Sequence, residues 1–155
     1  MKSLKAFTLL FVLGLVTHYS SYGQACTTNG ALVSVTYKKF TSYEIVTFKF
    51  KQTCAVPAVS VVNPPFIEDP SGNTILVAGA QHREIKFSGI EWMCTIPTIF
   101  QSSITSTSKV RAIKKTGQFE GIVSYVIGLK STASFAQVFP TTTSAGFCYI
   151  KFIIF

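Results

Sequence analysis

GQFEGIVSYVIGL, Gly117 to Leu129, places Phe119 and Glu120 between two glycines and follows them with a run that is apolar at nearly every position. Gly117 and Gly121 permit backbone geometries closed to other residues, so the segment reads as a turn that feeds a strand. Phe119 is expected to anchor that turn to the core. Val123, Tyr125 and Ile127 then face one layer while Ile122 and Val126 face the other. Gly128 closes the run. Glu120 is left at the strand entrance, pointing into solvent with no partner acid.

The same period of two recurs on both sides of this segment. In ALVSVTY the odd positions Ala31, Val33, Val35 and Tyr37 are apolar, the pattern of a half-buried strand. YEIVTFKF sets Val46, Phe48 and Phe50 against Thr47 and Lys49, and its short polar link to the first run predicts a hairpin. Residues 57–62 suit an edge strand, because Pro57 cannot donate to a ladder. Asp69-Pro70-Ser71-Gly72 is turn chemistry. TILVAG, REIKFSG, KVRAIKK and SFAQVF add short strands, and CYIKFIIF, charged only at Lys151, reads as a strand buried on both faces. Residues 95–108 read as a long Ser/Thr-rich loop. With no helical periodicity after the first residues, the chain is expected to be all-β, a single-domain sandwich or open barrel of about eight or nine short strands.

The beginning of the chain has the form of a secretory signal peptide: Lys2 and Lys5, then AFTLLFVLGLV, then small residues. The apolar run is about half the length that a membrane span needs. Residues 1–23 are expected to be removed, with cleavage after Ala25 an alternative, leaving 24–155 as the domain. Lipidation at Cys26 is the minor alternative, disfavoured because Gly23 stands where an aliphatic residue belongs. Export puts Cys26, Cys54, Cys94 and Cys148 in an oxidising compartment, where an even count reads as two disulfides. Three connectivities are open, and the expected one joins Cys26 to Cys148 and Cys54 to Cys94. No metal is expected, since zinc sites use closely spaced ligand pairs and no such pair is present.

Catalysis and cofactor binding find no support. No Gly-rich phosphate loop, dinucleotide fingerprint or nucleophile elbow occurs. Among the six acids only Glu68 and Asp69 are adjacent, and a turn explains them. His82 is expected in a solvent-exposed turn and Glu84 on a solvated strand face. A hydrolase would need a concave site joining Glu120 to a second carboxylate or to His82.

A formal net charge of +8 favours anionic partners. Lys109, Arg111 and Lys115 are placed on one side of a strand, Lys49 and Lys51 on one side of another, and Lys38 and Lys39 at a hairpin turn. Tyr37, Tyr43 and Phe40 could stack on sugar rings. No nucleic-acid motif accompanies them, and no transmembrane span follows residue 23.

The order of segments resembles the AMIN-like domain family of bacterial exported proteins. Tyr43 to Phe50 is similar to that family's early strand gyDRVVFeF. Asp69 to Gly72, running on to Val77-Ala78-Gly79, resembles its middle turns. Gly117-Gln118-Phe119-Glu120-Gly121 through Gly128-Leu129 resembles GdFEGvvtwviGl, followed by Phe135 and the final strand. Glu44-Ile45 replaces the family's Asp-Arg pair, so an ion pair between strands is expected to be lost, with the cysteines in its place. The resemblance implies a β-sandwich without a catalytic centre that binds peptidoglycan or a related anionic envelope polymer. The alternative is a secreted protein-interaction or inhibitor module that docks another exported protein through an aromatic-rich surface.

Overall fold

The computed structural model describes residues 29–90, 99–100, 104–143 and 145–155. The expected signal peptide, Cys26 and Cys94 lie outside the described residues. The described chain is all-β, with eleven strands: β1 (Leu32–Lys39), β2 (Glu44–Lys51), β3 (Pro57–Val61), β4 (Phe66–Ile67), β5 (Thr74–Ile75), β6 (Gln81–Ser88), β7 (Ile99–Phe100), β8 (Val110–Phe119), β9 (Ile122–Leu129), β10 (Phe135–Thr143) and β11 (Phe147–Ile154). The two-residue strands β4 and β7 account for the excess over the alternation-based count.

Two sheets face each other. Sheet A runs β10-β11-β2-β1-β7, sheet B runs β3-β6-β9-β8, and β4-β5 form a small separate ribbon. β3 is an edge strand, as Pro57 requires. Alternate residues of β2 and β11 meet alternate residues of β6 and β9, so Phe48, Phe50, Ile150, Phe152, Phe87, Tyr125 and Ile127 are fully buried. Phe48 is the hub, with ring centroids 4.9 Å from Phe87, 5.1 Å from Tyr125 and 5.8 Å from Phe152. Such tilted and edge contacts suit the aromatic quadrupole.

Gly117 to Leu129 is a hairpin half and its central strand. Phe119 pairs with Ile122, and the two linking residues both have positive φ, 47° at Glu120 and 76° at Gly121. That is the backbone of a type I′ turn, whose twist matches the flanking strands. Glu120 is exposed, as expected. Two details differ from the sequence reading. Phe119 is 52% exposed and anchors nothing in the core. Gly117 has an ordinary extended backbone, and its lack of a side chain admits Asp69, whose Cβ would lie 3.1 Å from a Cβ added there.

Burial on both faces belongs to β9, where every residue from Val123 to Leu129 is buried. β11 instead alternates strictly, with Cys148, Ile150, Phe152 and Ile154 inward and Phe147, Tyr149, Lys151 and Ile153 half-buried. The difference arises because residues 62–80 fold back over the outer face of sheet B. Asp69 bridges to Gly117 at the β8 edge, and a Cβ on Gly128 would sit only 1.9 Å from the Ala78 carbonyl oxygen. The same strap buries His82, which is 5% exposed. Its Nε2 donates to the Val77 carbonyl (3.1 Å), and its ring lies 4.8 Å from Phe66. The expected solvent-exposed turn histidine is therefore a strand residue held under a loop.

The disulfide joins Cys54 to Cys148, with Cα atoms 5.4 Å apart. This corrects both expected pairs, Cys26 with Cys148 and Cys54 with Cys94. Cys148 pairs across the strands with Phe50, and Cys54 lies just past the end of β2, so the register of β2 and β11 delivers the two sulfurs to one place.

Candidate functional site

The outer face of sheet A is built from the residues that β1, β2 and β11 turn away from the core. Antiparallel pairing sets Tyr149 opposite Lys49, Phe147 opposite Lys51 and Lys151 opposite Thr47. Lys38 opposes Ile45 and so shares this face. Lys49 Nζ stands 3.6 Å from the centroid of the Phe147 ring and 5.9 Å from that of Tyr149, a cation over two aromatic faces. Among the described strands of sheet A the only carboxylate is Glu44, and it points inward. The face is therefore cationic and uncompensated.

At one end of this face the β1–β2 hairpin meets the loop before β8. Lys38 Nζ lies 4.9 Å from the Phe40 ring centroid. Phe40 stacks on Tyr43 at 4.7 Å, and Tyr43 reaches Phe155 at 6.4 Å. Lys39 Nζ donates to Thr107 Oγ1 (2.8 Å) and Lys109 Nζ to the Ser42 carbonyl (3.2 Å). Arg111 donates to the Ser106 carbonyl. All three cations are held by neutral oxygens rather than by carboxylates. Arg111 and Lys130 also line an open cleft of about 680 Å³ beside Gly79 and Ser131.

Lys38, Lys39, Tyr43, Lys109 and Arg111 are thus gathered at one end, and Lys49 extends the charge across sheet A. Lys115 stands apart on β8, donating to Gln118 Oε1 (3.2 Å). The expected common side for Lys109, Arg111 and Lys115 fails because β8 carries register shifts between Val110 and Ala112 and between Lys115 and Gly117, each of which breaks the alternation. Tyr37 cannot stack on a ligand. It is 7% exposed, and burial pushes its phenol up to about 12. Lys51 lies on the same face as Lys49, as expected, whereas Lys130, Lys151, Phe147 and Tyr149 escaped the sequence reading. Alternation places Lys151 and Tyr149 on one face of β11, but only the pairing of β11 with β2 sets them beside Lys49.

The opposite side of the molecule holds Asp69, Glu84 and Glu120. Asp69 and Glu84 line a cavity of about 320 Å³ under the strap. Asp69 and Glu120 line a smaller one of about 120 Å³ next to it. Glu120 therefore does share a cavity with a second acid, contrary to expectation. Glu84 is only partly solvated and pairs with Lys86 at 3.7 Å. Among the described residues no cluster of three His, Cys, Asp or Glu side chains could hold a metal ion, and no helix is long and apolar enough to cross a membrane.

Comparison of the chain with protein-family models and with curated proteins finds no match.

Proposed function

We propose that the protein is an exported, non-catalytic binding module for an anionic envelope polymer, peptidoglycan or a related wall glycan, held on the outer face of sheet A. The observation that carries this reading is Lys49 poised over Phe147 and Tyr149, with Lys38, Lys51 and Lys151 on the same face and no carboxylate among them. Cations attract carboxylates or phosphates of the polymer, and aromatic faces stack on sugar rings. The disulfide suits an oxidising compartment, and the signal-peptide pattern of residues 1–23 supports export. The segment likeness to AMIN-like domains points the same way as an argument from fold.

Purified protein incubated with isolated sacculi is expected to co-sediment at low salt and to be released at high salt. Lys49→Glu is expected to weaken binding about tenfold by placing a carboxylate among the lysines. Failure to co-sediment at either salt overturns the proposal. Asp69 and Glu120 line one cavity, and paired carboxylates are what glycoside hydrolysis uses, so the same sacculi are to be assayed for solubilised fragments. The expected result is none. Release that disappears in Glu120→Gln would replace the binding module with a hydrolase. The docking of another exported protein would use Phe40, Tyr43 and Phe155 at the end of sheet A; it is less supported because the largest aromatic cluster among the described residues, Phe48, Phe50, Phe87, Tyr125 and Phe152, lies inside the core.

A further inference from the structure

The strap over sheet B encloses more than packing demands. Leaving β3, the chain crosses the outer face and is pinned on the far side at β8. There Asp69 N donates to the Thr116 carbonyl (2.9 Å) and Gln118 N to the Asp69 carbonyl (3.3 Å). Between strap and sheet lies the cavity of about 320 Å³. Its floor is Ser124 and Val126 of β9 with Glu84 and Lys86 of β6, and Thr116 closes the β8 side. Phe66 and Pro65 form an apolar wall.

Two independent features mark this cavity as a site. Asp69 and Glu84 both line it against a single cation, Lys86, and the adjoining smaller cavity adds Glu120. The chain as a whole is strongly basic with only six acids, so this excess of negative charge runs against the composition. Second, Thr116 is 5% exposed and its Oγ1 is buried without a hydrogen-bond partner. A buried hydroxyl left unpaired costs free energy that a ligand donor or acceptor recovers.

We propose that this cavity binds a primary ammonium group, carried either on an amino sugar or on an alkyl side chain. An ammonium offers three donors and no acceptor. Asp69 and Glu84 offer acceptors, the unpaired Thr116 hydroxyl lies buried in the β8 wall behind them, and Val126, Phe66 and Pro65 suit an apolar stem. Lys86 is the competing charge already present. Its pairing with Glu84 is long at 3.7 Å, and its side chain is 45% exposed, so it can swing into solvent as the ligand enters. This inference does not rest on the reading of sheet A, which lies on the other side of the sandwich.

Glucosamine, cadaverine and N-acetylglucosamine, titrated separately into the isotopically labelled protein, test it through the amide shifts of Lys86, Gly117 and Ser124. Saturable shifts with an amine, at least tenfold weaker with N-acetylglucosamine, are the expected result. Whether glucosamine or cadaverine is preferred identifies the source of the ammonium. Equal binding of glucosamine and N-acetylglucosamine overturns the proposal, as does the absence of saturable shifts with both amines. Two substitutions give opposite signs. Glu84→Gln should weaken amine binding about tenfold and Lys86→Gln should strengthen it severalfold, since one removes attraction and the other repulsion. The reverse order of effects also overturns it. Glu84 and Lys86 both point outward from β6, and an unchanged shift pattern elsewhere confirms the fold of each variant.

Discussion

Glu44 begins β2 in sheet A, yet its carboxylate serves sheet B. Oε1 accepts the Lys109 backbone N–H and Oε2 that of Val110, both at 2.7 Å, and the residue is 2% exposed. The ion pair expected to be lost at this position is replaced by two charge-assisted bonds to backbone. Glu44→Ala leaves both donors without an acceptor and is expected to destabilise by about 2–4 kcal/mol in urea unfolding. Two tyrosines set the alkaline limit. Burial pushes Tyr37 up to about 12 and Tyr125 higher still, so the folded state holds these protons more tightly than an unfolded chain, where tyrosine titrates near about 10. Their contribution is whole below about pH 10 and is lost as pH rises through about 12. The urea midpoint should fall across that window, and less steeply in Tyr125→Phe. That variant also deletes a buried hydroxyl with no partner and should fold at least as well at neutral pH. Little of this shows in the sequence. The alternation in YEIVTFKF puts Glu44 on the same inward face as Val46 and Phe48, but it does not reveal the two backbone donors, sixty-odd residues away, that receive its carboxylate.

At the scale of elements, alternation served well wherever pairing is regular and failed at each bulge. β2 and β6 keep strict phase, and their inward residues are the expected ones. In β1 the register shifts between Leu32 and Ser34, so Leu32 is buried where the alternation had chosen Val33. β8 shifts twice, which scatters its cations. Burial on both faces, expected of β11, holds for β9 and not for β11, because composition does not reveal which strand a distant loop lies across. Gly128 is the residue through which that loop is seated. Gly128→Ala would drive a methyl into the Ala78 carbonyl and is expected to destabilise by at least about 2 kcal/mol. Amide exchange should quicken first at Ala80, whose N–H donates to the Leu129 carbonyl at 2.7 Å. Slow exchange at Ala80 in a destabilised variant would show that the strap is not held by this contact.

Across the whole molecule, the all-β class and the two-layer core were legible from the periodic apolar positions, whereas the covalent link was not. Cys54 and Cys148 are 94 positions apart, and sequence carries no measure of which cysteines the sheet order brings together. Closing so long a loop restricts the unfolded chain, and the entropic account assigns it about 4–5 kcal/mol. The double substitution Cys54→Ala, Cys148→Ala should lower unfolding free energy by about that much in guanidinium titrations. A loss near zero would mean that β2 and β11 are aligned by packing alone.

The separation of charge between the two sides has a mechanical consequence. Near a negatively charged layer, a body with lysines on one broad side and acids on the other experiences a torque as well as an attraction. On the proposed reading it would be turned before it touches, arriving with sheet A toward the layer and the strap outward. The cavity beneath the strap is then left open to whatever lies beyond. On the two proposals made above, a molecule so oriented would act as a coupler, gripping one polymer from below while receiving a chemically opposite group from above.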